Sequence, residues 1–135
     1  MVASRSMDAG QALRELTELS SQIESAVVLG ADGAVLASTD EDAVRTQALA
    51  SSALELVAAA FELNSHPQEV TRVEVELDEG AVFVLRDGGR TIAATTGPDP
   101  TSGLVVYDLR TCLHGIAERA PAKKRRPAAR AQGDE

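Results

Sequence analysis

The sequence predicts an α/β protein, a three-layer α/β/α sandwich around a five-stranded antiparallel sheet. Five short apolar or alternating stretches and three longer stretches with helical apolar spacing give the element order α-β-β-α-β-β-β-α. The stretches 26–29 and 82–85 are apolar on both faces of a strand, so helices must cover both faces of the sheet. We expect a meander of strands, with one long helix on one face and two shorter helices on the other.

The first helix is predicted over residues 8–24, with Asp8 as its N-cap. Its apolar stripe consists of Leu13, Leu16, Leu19 or Ser20, and Ile23. The stretch VVLGADGAVLAST, residues 27–39, should then form a strand, a turn and a second strand. The turn is expected because the Asp32-Gly33 pair suits the positive φ angles of a tight hairpin.

The long helix is predicted over residues 41–63. Carboxylates at 40–42 stand at its N-terminus, where the helix dipole favours negative charge, and Pro67 disfavours helix at His66. The stripe expected to face the sheet is Leu49, Ala53, Leu56, Ala60 and Leu63. The opposite, exposed stripe is Arg45, Ser52, Glu55, Ala59 and Glu62. Small residues on that exposed stripe would let another backbone approach closely.

Three successive strands are predicted within residues 70–96. Val73, Val75 and Leu77 alternate with charged residues, and turns at 78–80 and 87–89 join this strand to the next two. After the loop GPDPTSG, a last helix should begin near a cap at Thr101 or Ser102 and continue to about Arg119. Its expected buried residues recur at i, i+4, i+7 and i+11, and they are Val105, Leu109, Cys112 and Ile116, with Leu113 beside them.

The 135 residues should form one domain over 8–120, between a flexible N-terminus at 1–7 and a disordered basic tail at 121–135. The net charge is −8, and five of the thirteen basic residues lie in the tail. The acidic body argues against nucleic-acid binding. We expect the tail to be solubilising, with an anionic surface as an alternative partner. One cysteine and the lack of a leader or a long apolar stretch predict a cytoplasmic protein without membrane insertion.

The pattern resembles the roadblock/dynein light chain family, particularly its bacterial, actinobacterial-type members. The resemblance rests on LRELTELSSQIESAVVLGADGAVLAS, DAVRTQALASSALELVAAA and TSGLVVYDLRTCLHGIAE, and it covers about residues 10–119. It implies a roadblock/profilin-like fold and a homodimer in which two sheets join edge to edge and two long helices lie side by side. It also implies a scaffold or regulator of a Ras-like small GTPase in bacterial signalling or polarity, with a sensor kinase as a further possible partner.

Catalytic and metal chemistry is not expected. Cys112 and His114 are two residues apart on a helix, so they point about 200° apart and cannot share a metal ion. His66 and His114 have no serine motif around them that would indicate a nucleophilic site. An arginine finger is conceivable at Arg45, Arg86 or Arg90, but ordinary surface arginines are the favoured interpretation. We therefore predict no enzyme, no cofactor and no metal.

Two surfaces are expected to bind partners. The dimer interface is predicted at Arg72, Val73, Glu74, Val75 and Glu76 on an open sheet edge, with Leu49 and Leu56 of the long helix. The exposed stripe of the long helix, residues 45, 52, 55, 59 and 62, is the predicted GTPase platform. A small-ligand sensor or a purely structural polymerising scaffold on the same frame is the alternative function.

Overall fold

The structure, a computed structural model, describes residues 8–63, 72–87 and 89–119. The elements in chain order are α1 (Ala9–Leu19), β1 (Ile23–Leu29), β2 (Val35–Ser38), α2 (Ala43–Leu63), β3 (Arg72–Leu77), β4 (Gly80–Asp87), β5 (Arg90–Thr96) and α3 (Ser102–Arg119). The predicted order and the three-layer architecture are confirmed. His66 and both predicted flexible segments, 1–7 and 121–135, lie outside the described residues.

The sheet order is β2-β1-β5-β4-β3, with antiparallel pairing throughout, so the predicted meander is wrong. The central pairing joins β1 to β5, with Val27 opposite Ala93. This order places the two strands with the most continuous burial, β1 and β5, away from the edges. The short β2 and the charged β3 form the two edges, where only one side of each strand must be paired.

Helices α1 and α3 cover one face of the sheet and enclose a core around Phe83, which is fully buried. The predicted stripe of α3 is confirmed, because Val105, Leu109, Cys112, Leu113 and Ile116 are all buried. Helix α1 has the predicted cap: the Gln11 amide donates to Asp8 Oδ1 over 2.8 Å.

The predicted end of α1 at residue 24 is wrong. The helix ends at Leu19, Ser20 has extended backbone angles, and Ile23 already begins β1. Between the two alternatives in the α1 stripe, Ser20 is the buried residue and Leu19 is 76% exposed.

Helix α2 covers the other face, and its sheet-facing stripe differs in part from the prediction. Ala50, Ala53 and Val57 are buried, whereas Leu49 and Leu56 are half-buried. Leu63, predicted to face the sheet, is 90% exposed. The difference arises because α2 is rotated so that Ala50, Ala53 and Val57 contact the sheet, with Leu49 and Leu56 beside that contact.

The turns and the start of α2 follow the local sequence. In the β1–β2 turn, Gly33 has a φ of +85°, and Asp32, expected to share that conformation, does not have a positive φ. Instead the Asp32 carboxylate accepts a hydrogen bond from the Ala34 amide over 3.0 Å. Asp42 caps α2, because its Oδ1 accepts from the amides of Val44 and Arg45.

Candidate functional site: the α2–β3 surface

Strand β3 lies at an edge of the sheet, as predicted, and pairs only with β4 among the described strands. Its side chains alternate between the two faces. Val73 packs against the core under α2, whereas Glu74 lies opposite Phe83, which belongs to the core under α3. The alternation places three predicted interface residues on the α3 side of the edge, where all are exposed: Arg72, Glu74 and Glu76. Val75 is half-buried on the α2 side.

One of these carboxylates is held by α3. Ser102 Oγ donates to Glu74 Oε2 over 2.7 Å. This contact links the first residue of α3 to the edge strand across 28 positions of sequence. No local pattern in the sequence pointed to it, because the partner lies in another layer.

The exposed stripe of α2 is confirmed as exposed: Arg45, Ser52, Glu55, Ala59 and Glu62 are all open to solvent. Arg45 differs from the rest because it is paired within the chain. Its Nε lies 2.8 Å from Asp40 Oδ2, its second guanidinium nitrogen donates to Asp40 Oδ1 over 3.2 Å, and Asp42 lies 3.8 Å away.

The fork of two hydrogen bonds has an electrostatic consequence. The hydrogen bond from Arg45 lowers the pKa of the Asp40 carboxyl, and the same contact raises the pKa of Arg45. Glu55 and Glu62 form no ion pair with any described residue. The exposed stripe of α2 is thus effectively acidic.

A recess of about 360 Å³ opens between the N-terminal half of α2 and the sheet. Leu49 and Ser52 line it from the helix, and Val82 and Thr95 line it from the sheet. Four of its five hydroxyls are paired with each other: Ser25 Oγ with Thr95 Oγ1 at 2.7 Å, and Ser38 Oγ with Thr46 Oγ1 at 2.8 Å, and the Asp40–Arg45 pair also lines it. The recess therefore offers apolar surface and few free polar groups.

The remaining polar candidates are either engaged in contacts within the chain or buried. The Arg86 guanidinium lies over the Phe61 ring, 4.9 Å from its centroid, and His114 Nε2 lies 2.6 Å from Asp87 Oδ2. Arg90 Nε is buried with no hydrogen-bond partner among the described residues. Arg86 and Arg90 therefore do not extend into solvent as an arginine finger would.

Cys112 and His114 are separated as the sequence indicated. Cys112 is buried under α1, and burial raises the pKa of its thiol to about 11, with a smaller contribution from Glu15. His114 is exposed on the other side of α3. Within the described residues no three His, Cys, Asp or Glu side chains are grouped as a metal site, and no helix is long and apolar enough to cross a membrane.

The comparison with protein families decides the classification. The model of the Roadblock/LC7 domain matches residues 10–96, from α1 through β5. The chain belongs to the Roadblock/LC7 family. The resemblance seen in the sequence is thereby confirmed, and in this Roadblock/LC7 chain the last helix, α3, follows the matched segment.

Solved structures share the fold at low sequence identity. A Roadblock/LC7 domain from Streptomyces avermitilis is 22% identical over 85% of this chain and 98% of its own, with a TM-score of 0.72. MglB of Myxococcus xanthus is 14% identical over 83% of this chain and 90% of its own, with a TM-score of 0.64. An MglB with a tetrameric arrangement is 17% identical over 82% and 85%, with a TM-score of 0.62. No functionally curated protein matches this chain.

Proposed function

We propose that this Roadblock/LC7 chain forms a homodimer through β3 and α2, and that the dimer binds and regulates a Ras-like small GTPase without catalysing a reaction itself. One observation carries the proposal: β3 lies at an edge that no other described strand pairs, on the face of the sheet that α2 covers, and α2 has an exposed stripe with small residues. A strand edge with free N–H and C=O groups is a template for pairing with another strand. Family membership and the tetrameric MglB relative support self-association.

An antiparallel pairing of two β3 strands places opposite charges across the interface. A two-fold axis at Val73 sets Arg72 against Glu74 of the second copy, whereas an axis at Glu74 sets Arg72 against Glu76. We favour the first register, since the second places Glu74 opposite its own copy. Each opposite-charge pair contributes about 0.2–1 kcal/mol.

A second α2 helix would also cover apolar surface that one copy leaves open. Val75 and Leu77 lie on the α2 side of β3, and Leu77 is 55% exposed. The adjoining recess at the N-terminal half of α2 is mostly apolar, and Leu63 at the opposite end of α2 is 90% exposed. An antiparallel second copy brings the C-terminal half of its α2 to the corner of Leu77 and the recess, where its leucines can bury this surface.

The dimer is tested by static light scattering across a concentration series. Wild type is expected to be dimeric at micromolar concentration, and Arg72→Glu to weaken the dimer about fivefold or more, because a like-charge pair replaces an attractive one. Arg14→Glu, the same substitution on an exposed part of α1, serves as the matched control. A monomeric wild type, or equal weakening by both variants, would end the dimer proposal.

Charge reversal also distinguishes the two registers. With the axis at Val73, adding Glu74→Arg to Arg72→Glu restores the dimer; with the axis at Glu74, adding Glu76→Arg restores it. Ser102→Ala is a useful companion, because it removes the hydrogen bond that holds Glu74 and changes no charge. Restoration by neither double variant excludes both registers.

The proposed GTPase platform is the exposed α2 stripe, and the ion pairs within the chain decide which of its residues carry a free charge. Arg45 is already neutralised by Asp40, so Glu55 and Glu62 carry the free charge, and the GTPase surface that meets them should be basic. Charges of this kind set orientation and association rate more than affinity. This makes Arg45 a weak test residue, since its reversal would disturb the start of α2 before it disturbs a partner.

The binding experiment uses a Ras-like GTPase encoded beside the gene, loaded with a GTP analogue or with GDP. Glu55→Arg/Glu62→Arg should slow association at least about tenfold at low salt, while Glu18→Arg/Glu79→Arg, an equal charge change on other exposed sites, should leave it unchanged. Surface plasmon resonance measures the rates, and hydrolysis assays show whether binding activates or inhibits. Equal rates for a dimeric double variant and wild type would place the platform elsewhere.

The recess beside α2 is a cavity that could support the alternative of a small-ligand sensor. Its paired hydroxyls leave few free groups to recognise a polar ligand. Two experiments distinguish dimer formation from ligand binding. If the recess belongs to the dimer interface, filling it with Ser52→Phe should disturb the pairing of the α2 helices. Small-molecule screening by thermal shift should then find no ligand at this recess. Light scattering that shows open-ended growth instead of a dimer would favour the polymerising scaffold.

A further inference from the structure

A groove between α1 and α3 lies on the face of the molecule opposite α2. It has a volume of about 260 Å³ and is lined by Ala12, Glu15, Leu16, Leu19, Tyr107, Asp108, Thr111 and Cys112. We call it the α1–α3 groove. It is independent of the dimer interface and the GTPase platform, which lie on β3 and α2.

Large apolar side chains are exposed along this groove. Leu19 is 76% exposed and Tyr107 is 66% exposed. Leu104, one turn before Tyr107 on α3 and outside the groove lining, is 51% exposed. Tyr107 is the only tyrosine of a chain with no tryptophan, and tyrosine is enriched among the residues that dominate binding energy at protein interfaces.

The shape of the groove favours a helix as the bound element. At one end the Thr101 amide donates to Gln22 Oε1 over 2.6 Å, so the end of α1 meets the start of α3 and the two helices run antiparallel. Their backbone groups are satisfied within the helices, so a strand would find no ladder to join. A helix satisfies its own backbone and needs only apolar side chains at i, i+3 or i+4, and i+7 to fill such a groove.

The charge of the lining defines the chemistry of the partner. Glu15 and Asp108 are in the lining, and no basic side chain is. Basic residues beside the apolar stripe of a docked helix would face these carboxylates, whereas an anionic lipid surface would be repelled. The chain's own basic tail lacks the anchors, because residues 121–135 contain no large apolar side chain.

We infer that the α1–α3 groove docks a basic amphipathic helix of another protein, with leucine-like anchors against Leu19 and Tyr107 and cationic side chains against Glu15 and Asp108. The dimer thereby offers two binding faces: α2 for one partner and the α1–α3 groove for a second. One protein can then connect two others, whether or not the first partner is a GTPase.

The probe is a synthetic helical peptide of about 15 residues built from Ala, Leu and Lys, with Leu at i, i+4 and i+7 and Lys on both flanks. Because the chain has one tyrosine and no tryptophan, Tyr107 fluorescence reports contact with an aromatic-free peptide directly. The patterned peptide should bind with micromolar affinity. A peptide of the same composition with Leu spread around the helix should bind about tenfold more weakly or worse, as should a Glu-for-Lys version.

Variants locate the site by calorimetry on the full chain. Leu19→Ser and Asp108→Lys should each weaken binding about fivefold or more, while the matched controls Leu36→Ser on β2 and Glu79→Lys on the β3–β4 turn should not weaken it. Thermal denaturation confirms that each variant is folded. Equal affinity for the patterned and rearranged peptides overturns the inference, as do equal losses in groove and control variants, or no binding at about 1 mM.

Discussion

On one face of the sheet α1 and α3 bury Phe83, Leu85 and Ile92 almost completely, whereas on the other face α2 leaves Val75, Val82 and Thr95 partly open. The closed face has two helices with large aliphatic side chains. The open face has one helix whose fully buried residues are alanine and valine, while its larger leucine and phenylalanine side chains are only partly buried. A single helix of small residues cannot cover five strands, so apolar surface is left beside it.

This difference indicates that one helical layer mainly stabilises the fold, whereas the other mainly presents exposed surface. The layer of α1 and α3 supplies most of the buried apolar area and therefore most of the stability of one copy. The layer of α2 contributes less core and presents exposed surface with the edge of β3. We expect mutations in the closed layer to change folding, and mutations in the open layer to change association.

The largest expected effect compares the same truncation on both faces. Leu109→Ala on α3, at a fully buried position, should reduce the free energy of unfolding by about 2–5 kcal/mol at every protein concentration. Leu56→Ala on α2, at a half-buried position, should cost less in one copy but should raise the dimer dissociation constant. Urea unfolding at several protein concentrations measures both. The contrast between the two faces is contradicted if, of the two variants, Leu56→Ala causes the larger concentration-independent loss of unfolding free energy.

A smaller effect tests whether the strands themselves are loosely packed, in addition to being incompletely covered by α2 on the open face. Gly80, at the start of β4, lies so close to β5 that an added Cβ would clash with the Thr96 carbonyl oxygen. Gly80→Ala should therefore destabilise by about 1–3 kcal/mol. Gly103→Ala in α3 meets nothing within 4 Å and should stabilise by up to about 1 kcal/mol. Tolerance of alanine at Gly80 would mean that the strands themselves are loose there.

The smallest effect concerns thiol chemistry on the two faces. Buried Cys112, with a thiol pKa of about 11, should react with iodoacetamide far more slowly than the exposed thiol of a Ser52→Cys/Cys112→Ala variant at pH 8. Mass spectrometry follows both reactions. Rapid alkylation of native Cys112 would show that the closed face opens readily.

The same thiol predicts a dependence of stability on pH. Folding raises the pKa of Cys112 from 9.0 to about 11, so the unfolded chain releases this proton first. The contribution of Cys112 is therefore fully present below pH 9 and is lost as the pH rises to about 11, by up to about 1.4 kcal/mol per pH unit. Subtracting the pH profile of Cys112→Ala isolates this contribution, and identical profiles would contradict it.

Much of the fold could be predicted from local patterns. The stripe of α3, the alternation of β3, the cap at Asp8 and the turn at Gly33 depend on residues a few positions apart. The exposed stripe of α2 was predicted for the same reason. Its buried stripe was predicted less well, because alanine, leucine and valine occur around the helix and local periodicity alone could not fix which of them face the sheet.

The predicted meander failed because sequence neighbours were assumed to be sheet neighbours. Pairing β1 with β5 joins strands more than 60 residues apart, such as Val27 with Ala93. The Arg45–Asp40 fork was missed at the site, although its two residues are close in sequence, because a spacing of five across a helix start is not a standard helical pair.

The sequence by itself determined the element types, the burial of both sheet faces and the exposed, small-residue face of α2, because side-chain size and period act within a few residues. Only the tertiary structure decided the order of the strands, the contact between Ser102 and Glu74 and the groove beside Tyr107. Those features depend on which apolar surfaces meet when the layers assemble. The arrangement of the layers minimises the exposed apolar area of the whole chain, so no short stretch of sequence determines it.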